Sequence, residues 1–253
     1  MYMRLVQMKV ELQKLPEMQD FYRQTVIPSL HTVKGCIYAS LIQSHDHQGE
    51  CFSMTLWDDQ IHADEYGKST LYRDLITNIK SYLADSTEWK IQLSENLTLE
   101  TVPVVEEPVV KSYAIEEFKD GVASGPEQSQ LYVRIFVPKV HKGKMKEFRK
   151  IYAEDVLPAL RTVKGCRYAF LTEGGNDQDE VLSITIWDSQ QDAAAYESSE
   201  LISQLAKKLS NTFSELYQWK FDLEKGSGRK IITSEDIQVK HYQIVTGESF
   251  KGF

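Results

Sequence analysis

Residues 28–41 read PSLHTVKGCIYASL, and residues 158–171 read PALRTVKGCRYAFL, 130 positions later. The same offset holds without a gap from Tyr2/Tyr132 to Leu93/Leu223, with about a third of the aligned positions identical. It pairs Tyr22 with Tyr152, Trp57 with Trp187, Tyr66 with Tyr196 and Trp89 with Trp219. Self-similarity at a fixed period determines architecture. This period is far too long for a solenoid and has the length of a small domain. The 253 residues therefore divide into two copies of one domain, expected at 1–118 and 130–253. The stretch between them, residues 119–129 (KDGVASGPEQS), has linker chemistry, rich in Gly, Ser and charge.

Each copy reads as strand, helix, strand, strand, helix, strand. Residues 3–10 and 131–137 alternate apolar and polar side chains, as first strands do. Tyr2, Arg4 and Val6 then share one face, as do Tyr132, Arg134 and Phe136. Leu15, Met18, Tyr22 and Val26 recur at helical spacing, as do Met145, Phe148, Tyr152 and Val156. Pro28 and Pro158 are expected to kink or stop that helix, and Gly35 and Gly165 to break the chain before strands at 36–42 and 166–172. Polar hairpin loops lead to third strands at 51–57 and 181–187. Ser53, Thr55 and Trp57 lie on one face of the first of these, and Ser183, Thr185 and Trp187 on one face of the second. Asp58 and Asp188 stand where a helix N-cap is wanted, with Ser69 and Ser199 as second caps in a broken helical region. Trp89 and Trp219 fall on fourth strands (88–93 in the first copy) as core residues. Beyond them, Val110–Ile115 resembles Val239–Ile244, an extra strand in each copy. The expected class is α+β, with two tandem ferredoxin-like domains.

The net charge of −8 argues against nucleic acid and anionic membranes as partners. No apolar run approaches the roughly 20 residues a membrane span needs, and the first residues alternate like a strand instead of forming a leader. Three cysteines without a CxxC suit reduced thiols in a cytoplasmic protein. His45 and His47 lack a third placed ligand and read as a solvated hairpin tip, so no metal is expected.

The helix ending VIPSL or VLPAL, the TVKG turn, the strand ending Trp-Asp, the broken helix that follows and the late strand with a Tyr resemble the antibiotic biosynthesis monooxygenase family of the dimeric α+β barrel superfamily. The resemblance covers nearly the whole chain twice. It implies a barrel formed inside one chain with a pseudo-two-fold axis, and leaves a further homodimer open. A sheet with helices on one face still has a second face to bury, which argues the same way. The resemblance also implies a cleft between sheet and helices. There, family members act as cofactor-independent oxygenases on small aromatic or quinol-like substrates with dioxygen. Another branch degrades haem with a first-strand Asn, a Trp and a His. This chain has no Asn on those strands, Tyr66 and Tyr196 at the Trp position, and Ile76 and Ala206 at the His position. Haem binding and degradation therefore ranks as the least favoured reading, with His31 and His62 as the residues that could supply a relocated ligand in the first copy, and no cofactor is expected.

Arg4 and Arg134, one per copy, are candidates to stabilise developing negative charge. The alternative is a packed stem whose head reaches a carboxylate. Tyr38, Tyr66, Tyr168 and Tyr196 are candidates to orient or deprotonate a phenolic substrate. Trp57 and Trp187, with Ser53, Thr55, Ser183 and Thr185, would wall a flat ligand. His31 and His62 are candidates in the first copy alone. No triad, phosphate loop or dinucleotide fingerprint is present, so a non-catalytic module binding a small ligand or partner stands as the alternative to an oxygenase.

Overall fold

The structure is a computed structural model. It describes residues 1–45, 47–93, 99–105, 109–119, 131–138, 140–141, 143–174, 181–214 and 238–249. Trp219, the second copy's fourth strand and nearly all of the expected linker lie outside the described residues. The chain forms two compact units. The first is drawn from Arg4–Lys111 with Val245–Lys251, and the second from Ser112–Ile244 with Met1–Met3.

The first unit holds most of β1 (Tyr2–Lys9), with α1 (Leu15–Phe21), α2 (Ile27–His31), β2 (Cys36–Ser44), β3 (Glu50–Trp57), α3 (Gln60–Lys68) and α4 (Thr70–Ile79). Its strands lie in the order β1-β3-β2. The second unit repeats the plan with β7 (Tyr132–Val137), α5 (Met145–Ile151), α6 (Leu157–Leu160), β8 (Cys166–Gly174), β9 (Val181–Trp187), α7 (Gln190–Glu197) and α8 (Glu200–Leu209). Its order is β7-β9-β8. Both are ferredoxin-like α+β units in tandem.

The extra strands are present as β6 (Val109–Lys119) and β10 (Gln238–Ser249). In the second unit β10 pairs antiparallel with β7, Gln238 opposite Val137, and β6 pairs antiparallel with β8, Tyr113 opposite Gly174. The expected fourth strand, β4 (Asp85–Leu93), does not close a sheet. It pairs instead with β5 (Leu99–Val105) in a separate two-stranded ribbon. Alternation marks a strand but carries no information about its partner. Here the partner is the next apolar segment along the chain.

Two local features correct the reading of the sequence, and a third agrees with it. Pro28 and Pro158 do not end their helices. One wide π-helical turn, Tyr22–Val26 or Tyr152–Val156, precedes each proline, and the Ile27 N–H donates back to the Tyr22 carbonyl. Proline cannot donate to the residue four back, and the wider turn carries the chain past it. The caps of α3 and α7 are Asp59 and Ser189, one residue after the expected Asp58 and Asp188. Asp59 accepts from the His62 N–H and Ser189 from the Asp192 N–H. The break at Gly35 and Gly165 is obligatory. Both have positive φ (82° and 78°), and a Cβ there would meet Asp58 Oδ1 or Asp192 Cγ at 2.5 Å.

In the second unit a buried cluster joins Phe148, Tyr152, Leu157, Leu171, Trp187, Leu205 and Phe213 between the helices and one face of the sheet. The opposite sheet face is buried as well, with Val133, Phe170 and Ile184 at 1% exposure or less. No helix among the described residues is long and apolar enough to cross a membrane.

Candidate functional site

In the first unit a cleft opens to solvent between the sheet and the helices. The sheet contributes Arg4, Val6 and Met8 from β1 and Ser53 and Thr55 from β3. The helices contribute Tyr22, Val26, Tyr66, Tyr72, Leu75, Ile76 and Ile79. Alternation on β1 and β3 aims the sheet residues at the helices, and helical spacing sets Tyr72, Leu75, Ile76 and Ile79 on one stripe of α4. The cleft is narrow, with room for about one or two waters before a side chain must move.

Among the described residues, Arg4 is the only charged one lining it. It is 7% exposed, and its Nη1 is buried without a hydrogen-bond partner among the described residues. Its guanidinium carbon lies 4.5 Å from the centre of the Tyr72 ring and 5.5 Å from that of Tyr66. Ring quadrupoles offset part of the cost of burying the cation. An unmade bond on a buried donor still costs on the order of 1–3 kcal/mol, and more when the donor is charged.

The phenols are held in fixed roles. Tyr22 Oη donates to the Ser40 carbonyl at 3.1 Å and lies 2.8 Å from Ser53 Oγ, where either hydroxyl can be the donor. Burial pushes the Tyr22 hydroxyl well above its ordinary pKa. Burial also pushes Tyr66 up, and the nearby Arg4 charge only partly offsets it. These tyrosines are therefore neutral at physiological pH. Holding their protons, they are set up to donate hydrogen bonds, which favours the orienting role expected of Tyr66 over the deprotonating one. Cys51 is buried, and its thiol is pushed up to about 12 by burial and then by Glu50.

Of the residues singled out in the sequence, the structure brings together Arg4, Ser53, Thr55 and Tyr66. It does not bring in the others of the first copy. Tyr38 stands opposite Leu56 while Ala39 stands opposite Thr55, so Tyr38 points to the other sheet face. Tyr168, opposite Ile186, does the same and stacks on Phe170 at 6.3 Å. Trp57 is fully buried behind Tyr66, ring centres 5.1 Å apart, and its indole N–H donates to Thr55 Oγ1 at 2.9 Å. Trp187 repeats this against Tyr196 and Thr185, at 5.1 and 2.8 Å. Both tryptophans are core rather than a ligand wall. His31 is exposed at the end of α2. The His62 ring meets Asp58 Oδ1 at 2.8 Å, outside the cleft. Asp58, Asp59 and His62 gather ligand-type atoms within 4.8 Å of one another, an arrangement that the helix cap and these hydrogen bonds already explain.

The second copy differs where it matters. Arg134 is as buried as Arg4, but its Nε donates to Glu197 Oε1 at 2.7 Å. The guanidinium also lies over Phe136 at 5.7 Å and Tyr196 at 5.8 Å. Ser183, Thr185 and Tyr196 hold places equivalent to the cleft residues, with Tyr152 Oη at 2.8 Å from Ser183 Oγ. The first copy has Gly67 where the second has Glu197, Val6 for Phe136 and Tyr72 for Ile202. Gly67 and Tyr72 were missed in the sequence, although the gapless offset aligns both differences.

A family model for antibiotic biosynthesis monooxygenases matches residues 1–78 and 131–208, one match per repeat and together more than half of the chain. The chain belongs to the antibiotic biosynthesis monooxygenase family. Solved relatives carry the same fold. A proposed monooxygenase from Fusobacterium nucleatum superposes with a TM-score of 0.70 at 8% identity, covering 100% of this chain and 95% of its own. One from Lactobacillus acidophilus gives 0.67 at 7%, covering 100% and 97%. An anthrone oxidase-like protein gives 0.59 at 12%, covering 98% and 93%. At these identities the likeness establishes the fold. No curated protein matches the sequence. Membership in the family supports a general monooxygenase-like role.

Proposed function

We propose that this family member is a cofactor-independent monooxygenase. It acts on a small aromatic or quinol-like substrate in the cleft of the first unit. The observation that carries the reading is the buried guanidinium of Arg4, unpaired at Nη1 and held between two tyrosine rings at the floor of an open, largely apolar cleft.

A substrate CH2 group flanked by aromatic or carbonyl groups loses a proton, and the anion adds to dioxygen. The resulting peroxide expels hydroxide as the second C–H proton leaves. The sum is CH2 + O2 → C=O + H2O, and the substrate supplies all the electrons. The difficult step is forming the anion. No carboxylate or imidazole lines the cleft among the described residues, so the proton leaves to solvent through the open mouth. Arg4 holds the negative charge that remains. A cation at close range lowers the pKa of a neighbouring acid by about 1–3 units. Tyr66 and Tyr72 flank the charge, and the aliphatic wall keeps its surroundings of low polarity. The anthrone oxidase-like relative makes anthrones a sensible first substrate.

Oxygen uptake with anthrones, naphthols and quinols tests the reading. One or more should be consumed, and Arg4→Leu should lower kcat/KM by about a hundredfold, the scale of losing one charge-stabilising donor. No uptake across the panel overturns it. In that case a cleft that binds the same molecules without turnover leaves a binding module.

A further inference from the structure

We infer that the first unit's cleft selects a ligand with one anionic oxygen group, carboxylate or phenolate, on an apolar body, and that Gly67 sets this specificity. The inference deepens the oxygenase reading and rests on it for turnover. The binding step stands on geometry of its own.

The repeat serves as an internal control. Both units bury an arginine at the same place on the same strand. In the second unit the last residue of α7 neutralises it through the 2.7 Å Arg134–Glu197 bond. In the first, the equivalent position is Gly67, inside α3. A Cβ built on Gly67 would lie 3.2 Å from Arg4 Nη1 and 3.4 Å from its Cζ, so a side chain there lands on the guanidinium. Gly67 does not have the positive φ of Gly35, Gly49, Gly143 and Gly165. Its backbone does not require glycine, and glycine weakens a helix relative to alanine. What glycine provides at this position is a bare cation. Among the described residues Nη1 is unpartnered and no other charged group lines the cleft, so the cleft is short of one negative charge. Its remaining walls include Val6, Met8, Val26, Leu75, Ile76 and Ile79, which suit an apolar body and offer no partner to a second charge.

The test is calorimetric titration of the full chain with benzoate, 2-naphthoate and 4-nitrophenolate above its own pKa, each against a neutral partner: benzamide, 2-naphthamide and 4-nitroanisole. The two acid types separate carboxylate from phenolate selection. An anion should bind roughly tenfold or more tighter than its neutral partner, as a charge-assisted bond to a buried donor would give. Gly67→Glu, which reproduces the second unit's pairing, should abolish the preference, while Gly67→Ala should keep it. Arg4→Leu should lose binding and, by removing an unpaired buried charge, should not lower the melting temperature of the free protein. Equal binding of anions and neutral partners, or undiminished anion binding by a folded Gly67→Glu chain, overturns the inference. If anions bind and no quinol consumes oxygen, the oxygenase reading fails alone. If quinols are oxidised and Gly67→Glu leaves kcat/KM unchanged, the anion reading fails alone.

Discussion

Tyr22 and Tyr66, with Tyr152 and Tyr196 in the other repeat, are all pushed above the ordinary phenol pKa, chiefly by burial. Burial likewise carries Cys51 to about 12. In the unfolded chain a thiol titrates near 8.5 and a phenol near 10. Above those values the unfolded state has released protons that the native state still holds, so stability falls with rising pH. The contribution is complete at neutral pH and is lost progressively above about pH 9, first through Cys51 and then through the phenols. Urea midpoints measured at rising alkaline pH should decline in that order, and Tyr66→Phe should flatten the upper part of the curve. A midpoint that holds steady through the phenol range would contradict the burial of these hydroxyls. At neutral pH, Tyr22→Phe should cost about 1–3 kcal/mol, because it removes a bond to Ser53 inside the core. Arg4 could be named from the sequence, since strand alternation placed it on the face that meets the helices. Its state of charge pairing could not. That depends on α3 laying position 67 against position 4, a contact across 63 residues that no local pattern encodes.

Helix ends carry the next level of difference between the repeats. Ser69 caps α4 by accepting from the Tyr72 N–H at 3.1 Å, and its own hydroxyl donates to the Tyr66 carbonyl. Ser199 occupies the same place before α8, donates to the Tyr196 carbonyl, and makes no side-chain cap. Ser69→Ala should therefore cost about 1 kcal/mol in urea unfolding, the usual loss for a cap, and Ser199→Ala measurably less. Asp59→Ala should cost about as much as Ser69→Ala. Equal costs at the two serines would mean that the cap bond is not what distinguishes them. Helices and first strands were legible in the sequence because burial imposes a period, and Met18, Tyr22 and Val26 follow it. Three things were not. Two consecutive acids hid which one caps α3. A bulge between Cys36 and Tyr38 put Tyr38 on the face opposite the one that holds the cleft, and a one-residue slip of this kind reverses every outward side chain. The strand of Trp89 was visible, but its partner, Leu99–Val105, was not.

Across the whole chain the repeat has kept its scaffold and changed its chemistry. The pairs Trp57/Trp187, Tyr22/Tyr152 and Ser53/Ser183 make equivalent hydrogen bonds in both units, so the fold needs them regardless of any ligand. The pairs that differ, Gly67/Glu197, Val6/Phe136 and Tyr72/Ile202, surround the buried arginine. A duplicated domain with two equal sites would have reason to preserve both clefts, whereas here Glu197 satisfies the second arginine internally. Binding should consequently saturate at one anionic ligand per chain, not two. Glu197→Gly alone frees Arg134 but leaves Phe136 over it at 5.7 Å. Glu197→Gly combined with Phe136→Val restores the first unit's arrangement at both positions, and the calorimetric stoichiometry should rise toward two. Saturation at two in the unaltered chain would show that the Arg134–Glu197 pair opens readily to a ligand. Saturation at one in the double variant would place the discrimination in Tyr72, which the second unit lacks, and Ile202→Tyr added to the double variant would then be the substitution that brings the second cleft into use.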